Sequence, residues 1–461
     1  MKGKALITLL LFSITYSFGQ SSPKFSKREV IEDLEYLYAS LKATNYNLFA
    51  YTSEQAFDVA YQETLRSLDK DSLGRLETTK VFQRFVAVAD IGHTGLDFPI
   101  PAYSEYATSG GTLFPLEVAF ESNRPLIRKN WSDNDSIKIG MEIVSINGRP
   151  MNEVLGEIYP LISAERPYFK QAKVELYSFP RYYWFAFGRQ DEFEVELSHE
   201  GIVKAYSLRA VDLIEGFEMK RSEVLNASMQ LKFYEQTAYL NTGNLSGDEP
   251  QFQHFIDSAF VSIKEKGSKN LIIDLRNNGG GDNSFSDYVV SYFADQPFRW
   301  HDSYSFKTSA LLKTHVRENY DTTDVFWQEV LNREDGEVYE YEFGEYQPQA
   351  PENRFTGKVY VLVNRQSHSQ STMMAAQIQD YGFGTIVGEE TSECPSLYAS
   401  IFQIALPNTG LSVNVSKGYM VRVNGSTKEE GVIPDIFIKD YLLDEDDEVL
   451  DGLLEKIAAG L

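Results

Sequence analysis

The stretch from Val359 to Glu390 constrains this chain most, because it joins an apolar run, a polar turn and a helical pattern. The run at 359–363 is wholly apolar and is typical of a buried strand. Ser369 lies in the serine-rich turn that follows, before a helical pattern that begins near Thr372. A serine at a strand-to-helix turn lies near helix-terminal N–H groups that can stabilise an oxyanion. Serine is also a favoured N-cap residue, so the turn alone does not distinguish a nucleophile from a cap.

A second apolar strand pattern, at 270–275, is followed by the glycines at 279–281. Because glycine has no Cβ, these N–H groups can approach a ligand closely, as an oxyanion hole or a phosphate cradle requires. The Lys and Ser/Thr of a P-loop are missing, which disfavours phosphate. Turns that leave the same end of a parallel sheet converge in space. We therefore expect Ser369 to face these glycines, with a glycine N–H and the N–H of Gln370 forming an oxyanion hole.

A serine nucleophile needs a general base, because the neutral hydroxyl reacts poorly. The chain has six histidines, and His199, His254 and His315 lie in polar or helical surroundings that are typical of a surface. His93 differs because it lies in a glycine-flanked turn where no structural need for histidine is evident. His368 adjoins Ser369, but neighbouring side chains on a turn usually point apart.

Composition limits the partners of the chain. The formal net charge is -24 over 461 residues, which argues against nucleic acid and against an anionic membrane surface, since both require clustered Lys and Arg. Cys394 is the only cysteine, so neither an intrachain disulfide nor a cysteine-based metal cluster is expected. No metal or organic cofactor is implied.

The first residues have the pattern of a secretory signal peptide. Lys2 and Lys4 precede a short apolar segment at 5–18, and Gly19 provides a small residue before a predicted cleavage site. No other apolar run approaches the ~18 residues expected of a membrane span. We therefore expect a protein exported to the periplasm or the medium, without stable insertion into a membrane.

Changes of pattern predict several domains. Ser26 and Glu29 form a capping-box pattern at the start of the first of three helical segments. Residues 110–212 alternate in the manner of strands, and an Asn-Gly turn at 147–148 precedes a helical pattern. Alternating strands and helices follow. The predicted boundaries are a signal peptide at 1–19, an N-terminal helical region at 20–109, a small β domain at 110–212, a core at 213–445 with a lid-like insertion at about 300–353, and a C-terminal helix at 446–461.

The segment "GMEIVSING" at 140–148 resembles the part of PDZ domains in which a strand ends in "ING" before a helix. PDZ domains bind peptides by adding a strand to a sheet edge. The glycine-rich carboxylate-binding loop of that family is not evident here, and residues 111–114 are the nearest candidate. The resemblance thus implies peptide binding without implying recognition of a free C-terminus.

Nearly the whole mature chain resembles the C-terminal processing peptidases, also called tail-specific proteases, with the tricorn core protease as a more distant relative. The segments that carry the resemblance are "NLIIDLRNNGGG" at 270–281, "VYVLVNRQSHSQSTMMAAQIQDYGFGTIVGEET" at 359–391 and "GVIPDI" at 431–436. The resemblance implies a multidomain α/β protein: an N-terminal helical region, a PDZ-like β domain and a ClpP/crotonase-like α/β peptidase core.

The same resemblance implies roles for individual residues. The family's nucleophile falls on Ser369 and its oxyanion glycine on Gly280. The lysine of the Ser-Lys branch is replaced by Cys394, so the tricorn-like branch, which uses a histidine and a glutamate, is the better match. The histidine of that branch falls on His93, and its acid falls on Glu429 or Glu430.

We therefore expect an exported serine endopeptidase that acts on proteins or peptides through Ser369, His93 and Glu429 or Glu430, with Gly280 and Gln370 as oxyanion donors. Three alternatives stay open. The fold can serve as a non-catalytic binder of peptides or hydrophobic ligands, since the lysine is lost. Lys417 or His368 can be the base. Cys394 can be the nucleophile.

Overall fold

In the computed structural model, residues 23–221, 228–444 and 446–461 are described. The predicted signal peptide at 1–19 lies outside these residues. Among the helices in the described ranges, none combines the length and the apolar character needed to cross a membrane. The described chain forms several helical and sheet units, so the predicted class, a multidomain α/β protein, is confirmed. The exact domain boundaries given above stay predictions.

The N-terminal part is mainly helical, as the periodicity predicted. Ser26 caps the first helix through the predicted box: Glu29 N–H donates to Ser26 Oγ at 3.3 Å, and Ser26 N–H donates to Glu29 Oε2 at 2.7 Å. The elements are β1 (Lys24–Ser26), α1 (Lys27–Thr44), α2 (Glu54–Ser67), β2 (Ser72–Gly74), α3 (Arg75–Val86), a short 3-10 turn (Ala87–Ala89), β3 (Gly95–Leu96) and α4 (Ile100–Thr108).

The middle part is a β domain with more helix than we predicted. Its elements are β4 (Thr112–Leu113), β5 (Leu116–Glu121), β6 (Arg124–Asn130), β7 (Glu142–Ile146), β8 (Arg149–Pro150), α5 (Met151–Ile158), a 3-10 turn (Tyr159–Leu161), α6 (Pro167–Tyr177), α7 (Phe179–Phe187), β9 (Glu192–His199), β10 (Ile202–Arg209), β11 (Val211–Asp212), a π-helical turn (Leu213–Glu218) and α8 (Met219–Arg221). The main sheet has the antiparallel order β10-β9-β7-β6-β5.

Two features of the middle part test the local patterns. Asn147 and Gly148 both have positive φ, 51° and 73°, as a tight hairpin turn requires. Helices α6 and α7 were missed, because their aromatic residues suggested strands. Pro167 and Pro180 lie in the first turns of these helices, where proline is favoured, and were the available signal.

The remaining elements alternate between strands and helices. They are β12 (Gln230–Tyr234), β13 (Thr237–Asn241), α9 (Glu249–Lys266), β14 (Asn270–Asp274), α10 (Asn283–Ser291), β15 (Ser303–Lys307), α11 (Ala310–Asn319), α12 (Val325–Asn332), β16 (Val338–Glu340), β17 (Lys358–Val363), α13 (Gln370–Tyr381), β18 (Thr385–Gly388), β19 (Leu397–Ala405), β20 (Ser412–Val421), β21 (Ile436–Phe437) and α14 (Glu448–Ala458).

The core sheet has the order β12-β13-β14-β17-β18-β21, and all its pairs except β12 with β13 are parallel. Helices α9, α10 and α13 bury apolar side chains on one face, and α14 packs Val449, Leu450 and Leu453 on the other. Strands β14 and β17 are neighbours, with Asp274 opposite Leu362. The turns that follow these two strands therefore leave the sheet side by side.

The residues at 300–353 do not form the separate lid that we predicted. Strands β15 and β16 join β20 and β19 in a second sheet, to which β3 also pairs. Tyr304 and Phe306 alternate with more exposed residues along β15, which is the signal of a half-buried strand. Leu312, Val316 and Val330 share a core with the N-terminal helices. This segment therefore helps to join the beginning of the chain to its core.

Candidate active site

Ser369 lies at the sharp turn between β17 and α13, in a conformation that an L-residue rarely adopts. Its φ is 51° and its ψ is -123°, and its side chain makes no N-cap hydrogen bond to the helix. The cap interpretation therefore has no support in the geometry. A non-glycine residue held at such angles costs free energy that the surrounding contacts must offset. A strained strand-to-helix turn is also the arrangement that exposes nucleophilic serines in other hydrolases.

The turn around Ser369 is held by hydrogen bonds to the loop after β14. His368 N–H donates to Asn278 O at 2.9 Å, and Ser371 Oγ donates to the same oxygen at 2.8 Å. Ser367 Oγ donates to Leu275 O at 2.7 Å. The hydroxyls of the two flanking serines, Ser367 and Ser371, thus donate to backbone carbonyls. The hydroxyl of Ser369, in contrast, has no hydrogen-bond partner among the residues in the described ranges.

Gly280 packs directly against the nucleophile turn. A Cβ at this position would lie 2.6 Å from Gln370 N, 2.7 Å from His368 O and 2.8 Å from Ser369 Cβ, and its φ is 86°. Only glycine fits there. The N–H of Gly280 itself donates to Asn278 Oδ1 at 2.9 Å, so in this conformation it is not free to bind an oxyanion.

Gln370 and Gly279 offer the better-placed backbone groups. Gln370 is the first residue of α13, and within the described part of the chain no acceptor for its N–H is found. Its side chain donates instead to Ser286 Oγ at 2.8 Å. Gly279 lines the same cavity as Ser369, with open space where a Cβ would lie.

His93 reaches this cavity from the N-terminal part. The 3-10 turn ends at Asp90, and the next residues lead into β3, which pairs with Val413 and Asn414 of β20. The neighbouring Thr94 is fixed as well, because its Oγ1 accepts from Asn45 Nδ2 at 2.9 Å. Ser369 and His93 therefore line one cavity of about 800 Å³, although no direct hydrogen bond joins them among the described contacts.

The carboxylate of Glu393 contacts both His93 and Ser369. Its Oε1 lies 2.8 Å from His93 Nε2, and its Oε2 accepts the backbone N–H of Ser369. The ring N–H of His93 does not point along the first of these contacts, so it is an ion pair rather than an aligned hydrogen bond. The side chain of Glu393 is 1% exposed.

Burial and pairing act against each other on the pKa values of this pair. Burial, the largest single influence, would lower the pKa of His93, but the charge and side-chain contact of Glu393, together with the charge of Glu165, raise that pKa. Burial would raise the pKa of Glu393, and the imidazolium of His93 holds it below its usual value. Each member of the pair therefore favours the charged form of the other.

Known proteins resemble this chain in sequence and in fold. Residues 236–438 match the family model "Peptidase family S41". The tail-specific protease of Haemophilus influenzae (strain ATCC 51907 / DSM 11121 / KW20 / Rd) is 26% identical over 210 residues, which are 42% of this chain and 25% of that protein. This chain therefore spans about a quarter of the length of that curated relative. The resemblance to the C-terminal processing peptidases is confirmed. Residues 236–438 are called the S41 region below.

Solved structures show a similar fold over nearly the whole chain. Mature CPAF in complex with lactacystin has a TM-score of 0.67 at 15% identity, and the match covers 94% of this chain and 97% of that one. A second structure of mature CPAF has a TM-score of 0.62 at 15% identity, covering 94% and 96%. At these identities the likeness concerns the fold.

The structure does not bring Glu429 and Glu430 to His93. Glu429 is exposed and Glu430 is half-buried, and Glu430 Oε1 lies 3.5 Å from Lys428 Nζ. The acid at the site is Glu393, which corrects our expectation. A signal for it was present in the sequence: Glu393 follows β18, the neighbour of β17, and a loop after that strand must reach the same sheet edge.

The alternative bases and the alternative nucleophile are poorly suited. Burial lowers the pKa of His368 to about 4, and its ring packs edge-on against Phe169 with the centroids 4.9 Å apart. Burial lowers the pKa of Lys417 to about 7, which would suit a base, but Lys417 is not among the described residues that line the cavity of Ser369, and its Nζ donates to Ser400 O at 2.8 Å and to Ser400 Oγ at 2.7 Å. Burial raises the pKa of the Cys394 thiol to about 12, which disfavours the thiolate.

Proposed function

We propose that the protein is an exported serine endopeptidase that hydrolyses proteins or peptides. The observation that carries this proposal is the Glu393 carboxylate, which contacts the His93 imidazole and the Ser369 backbone at one cavity. The match of the S41 region to a peptidase family supports it. Export rests on the signal-peptide pattern at 1–19.

In the first half of the proposed reaction, Ser369 Oγ attacks the scissile carbonyl carbon and the π electrons move to the carbonyl oxygen. The ring nitrogen of His93 that does not face Glu393 takes the hydroxyl proton. Glu393 stabilises the resulting imidazolium. The free N–H of Gln370 stabilises the oxyanion, with the N–H of Gly279 as the nearest second donor in place of Gly280.

In the second half, His93 returns the proton to the leaving amine as the C–N bond breaks, which leaves an acyl ester on Ser369. Water then attacks the ester with His93 again as base, and the free hydroxyl is restored. For the first step, the hydroxyl of Ser369 and the imidazole must approach to about 3 Å.

The test is cleavage of a peptide library prepared from a whole proteome, followed by mass spectrometry. The wild-type protein is expected to cut the library, and Ser369→Ala to reduce cleavage by about 10³-fold or more. Ser258→Ala, which changes an exposed serine on α9, is the matched control and is expected to cut normally. Peptides that bind the wild-type protein and stay uncut would favour the non-catalytic alternative. Equal cleavage by Ser369→Ala would overturn the role of that serine.

A further inference from the structure

Two side chains from the middle part of the chain, Glu165 and Lys173, hydrogen-bond to the backbone of the His93 turn. Gly92 N–H donates to Glu165 Oε1 at 2.8 Å. Lys173 Nζ donates to Gly92 O at 3.0 Å and to Ser163 O at 2.7 Å. Both the N–H and the C=O of Gly92, the residue directly before His93, are therefore hydrogen-bonded by side chains that lie more than 70 positions later in the chain.

A Cβ added at Gly92 would displace Glu165 and Phe169 from their observed positions. A Cβ there would lie 2.8 Å and 2.9 Å from the two carboxylate oxygens of Glu165, and 2.9 Å from Cε1 of Phe169. Real Cβ atoms do not approach other heavy atoms this closely. Gly92, which directly precedes His93, thus leaves the room in which Glu165 reaches the backbone.

The same two side chains belong to the charged surroundings of the site. Burial and the nearby charge of Glu393 raise the pKa of Glu165, while Lys173 and the Gly92 N–H oppose this rise. Burial lowers the pKa of Lys173. The titratable groups that face His93 are Glu393, Glu165, Lys173 and the neutral His368. Oε2 of Glu165 is shielded from solvent and has no hydrogen-bond partner within the described ranges.

Helix α6 also contacts the nucleophile turn. Arg365, four residues before Ser369, donates to Glu175 Oε2 at 2.8 Å and to Glu175 Oε1 at 3.1 Å. Phe169 packs on His368. One helix and the residues just before it therefore touch both turns that meet at the cavity.

We propose that Glu165 and Lys173 are positioning residues, which hold the peptide groups of Gly92 so that the ring of His93 meets Glu393 at the Ser369 turn. This role rests on the proposed peptidase function. It makes the middle domain part of the catalytic machinery, since the histidine is presented correctly only while α6 is docked.

The kinetic test compares variants on the same helix and its approach. Glu165→Ala and Lys173→Met are expected to lower kcat by about tenfold or more with KM changed less than about twofold, because ground-state binding is untouched. Glu165→Gln keeps an acceptor for Gly92 N–H and is expected to restore most of kcat. Gln171→Ala is the control, because its side chain donates to the exposed Asn123 Oδ1 at 3.1 Å and has no hydrogen bond to Gly92 or His93 in the described ranges. If Glu165→Ala does not fold, Glu165→Asp decides, since its shorter side chain cannot reach Gly92.

A second readout does not need activity. The imidazole of His93 is titrated by NMR in the Ser369→Ala background and assigned with His93→Gln. Glu165→Ala is expected to lower the midpoint of His93, and Lys173→Met to raise it, each by about half a unit or more, because each removes a neighbouring charge and a backbone contact. Unchanged titration together with unchanged kcat would overturn the positioning role. If the wild-type protein shows no Ser369-dependent cleavage, the proposed function fails, and the titration alone judges the positioning role.

Discussion

The two turns that meet at the cavity are held in different ways. The Ser369 turn is fixed mainly by the neighbouring loop of the same sheet, through Asn278 and Leu275. The His93 turn is fixed by side chains from distant segments, Glu165 and Lys173 beside it and Glu393 in front of it. The position of Ser369 therefore follows mainly from the local βα topology, whereas the position of His93 depends on how three parts of the chain pack together.

The largest effect is expected at the Ser369 turn, from Gly280→Ala. The added Cβ meets backbone atoms 2.6 to 2.8 Å away, so we expect peptidase activity to fall to background and the free energy of unfolding to drop by about 2–4 kcal/mol. Gly336→Ala is the matched control, because its φ of 85° is nearly the same but nothing lies within 4 Å of its Cβ. It is expected to cost about 1–2 kcal/mol and to leave activity intact. Equal losses would show that conformation, and not crowding, matters at Gly280.

The next largest effect is expected at the His93 turn, from Glu393→Gln. Removing the carboxylate leaves the imidazolium without its counter-charge, so kcat/KM is expected to fall by about 10²–10⁴-fold. Glu429→Gln and Glu430→Gln test the acids that the sequence suggested, and both are expected to retain full activity because neither side chain contacts His93 or Ser369 in the described part of the chain. A loss of activity in either of these variants that matches the loss in Glu393→Gln would reverse the assignment.

The pH dependence of activity sharpens the same comparison. The base must be neutral to accept a proton, and the pKa of His93 is raised by Glu393. We therefore expect kcat/KM to rise with pH through a midpoint above about 6.5. In Glu393→Gln the residual activity should rise through a lower midpoint, because the group that favoured the charged imidazole is gone. A midpoint that moves upward in this variant would contradict the pairing.

A further effect concerns the stability of the fold, and not activity, at the link between the S41 region and the middle part of the chain. Arg365 is 4% exposed and pairs with Glu175, Glu121 and Glu389. Arg365→Met leaves buried carboxylates without a partner and is expected to cost about 3–5 kcal/mol in denaturant unfolding. Arg84→Met breaks a half-exposed pair with Glu157 and should cost less than about 1 kcal/mol. Similar costs for both variants would show that the buried network is unimportant.

The smallest effect is expected at Cys394, where the Ser-Lys branch would carry its lysine. The side chain is buried, and its thiol pKa is raised to about 12. Iodoacetamide at neutral pH should leave activity unchanged and Cys394 unmodified by mass spectrometry. Rapid inactivation that Cys394→Ser abolishes would return the thiol to the list of nucleophiles.

The same contrast explains what the sequence could predict. The apolar runs at 270–275 and 359–363 have the pattern of buried parallel strands, so the convergence of Ser369 with the glycine loop followed from topology. The second sheet was missed because β15 and β16 are short and lie among acidic residues. Helices α6 and α7 were hidden by aromatic residues.

The site itself was predictable to a similar degree. His93 was singled out by its turn, and Ser369 by its place after a strand. Glu393 and Glu165 were missed because both act on backbone or side chains that are distant in sequence, and a glutamate in a loop has many other uses. Only the folded arrangement shows that Glu165 reaches Gly92 and that Glu393 reaches His93.

The central claim is that Ser369 is a nucleophile activated by His93 and Glu393. The most direct measurement is labelling of the intact protein with a fluorophosphonate, followed by peptide mapping and by comparison of labelling rates. A single adduct on Ser369, formed at least about 100-fold more slowly in His93→Gln and in Glu393→Gln, is the predicted result. An adduct on another residue, or labelling of Ser369 at an unchanged rate in both variants, would contradict the account.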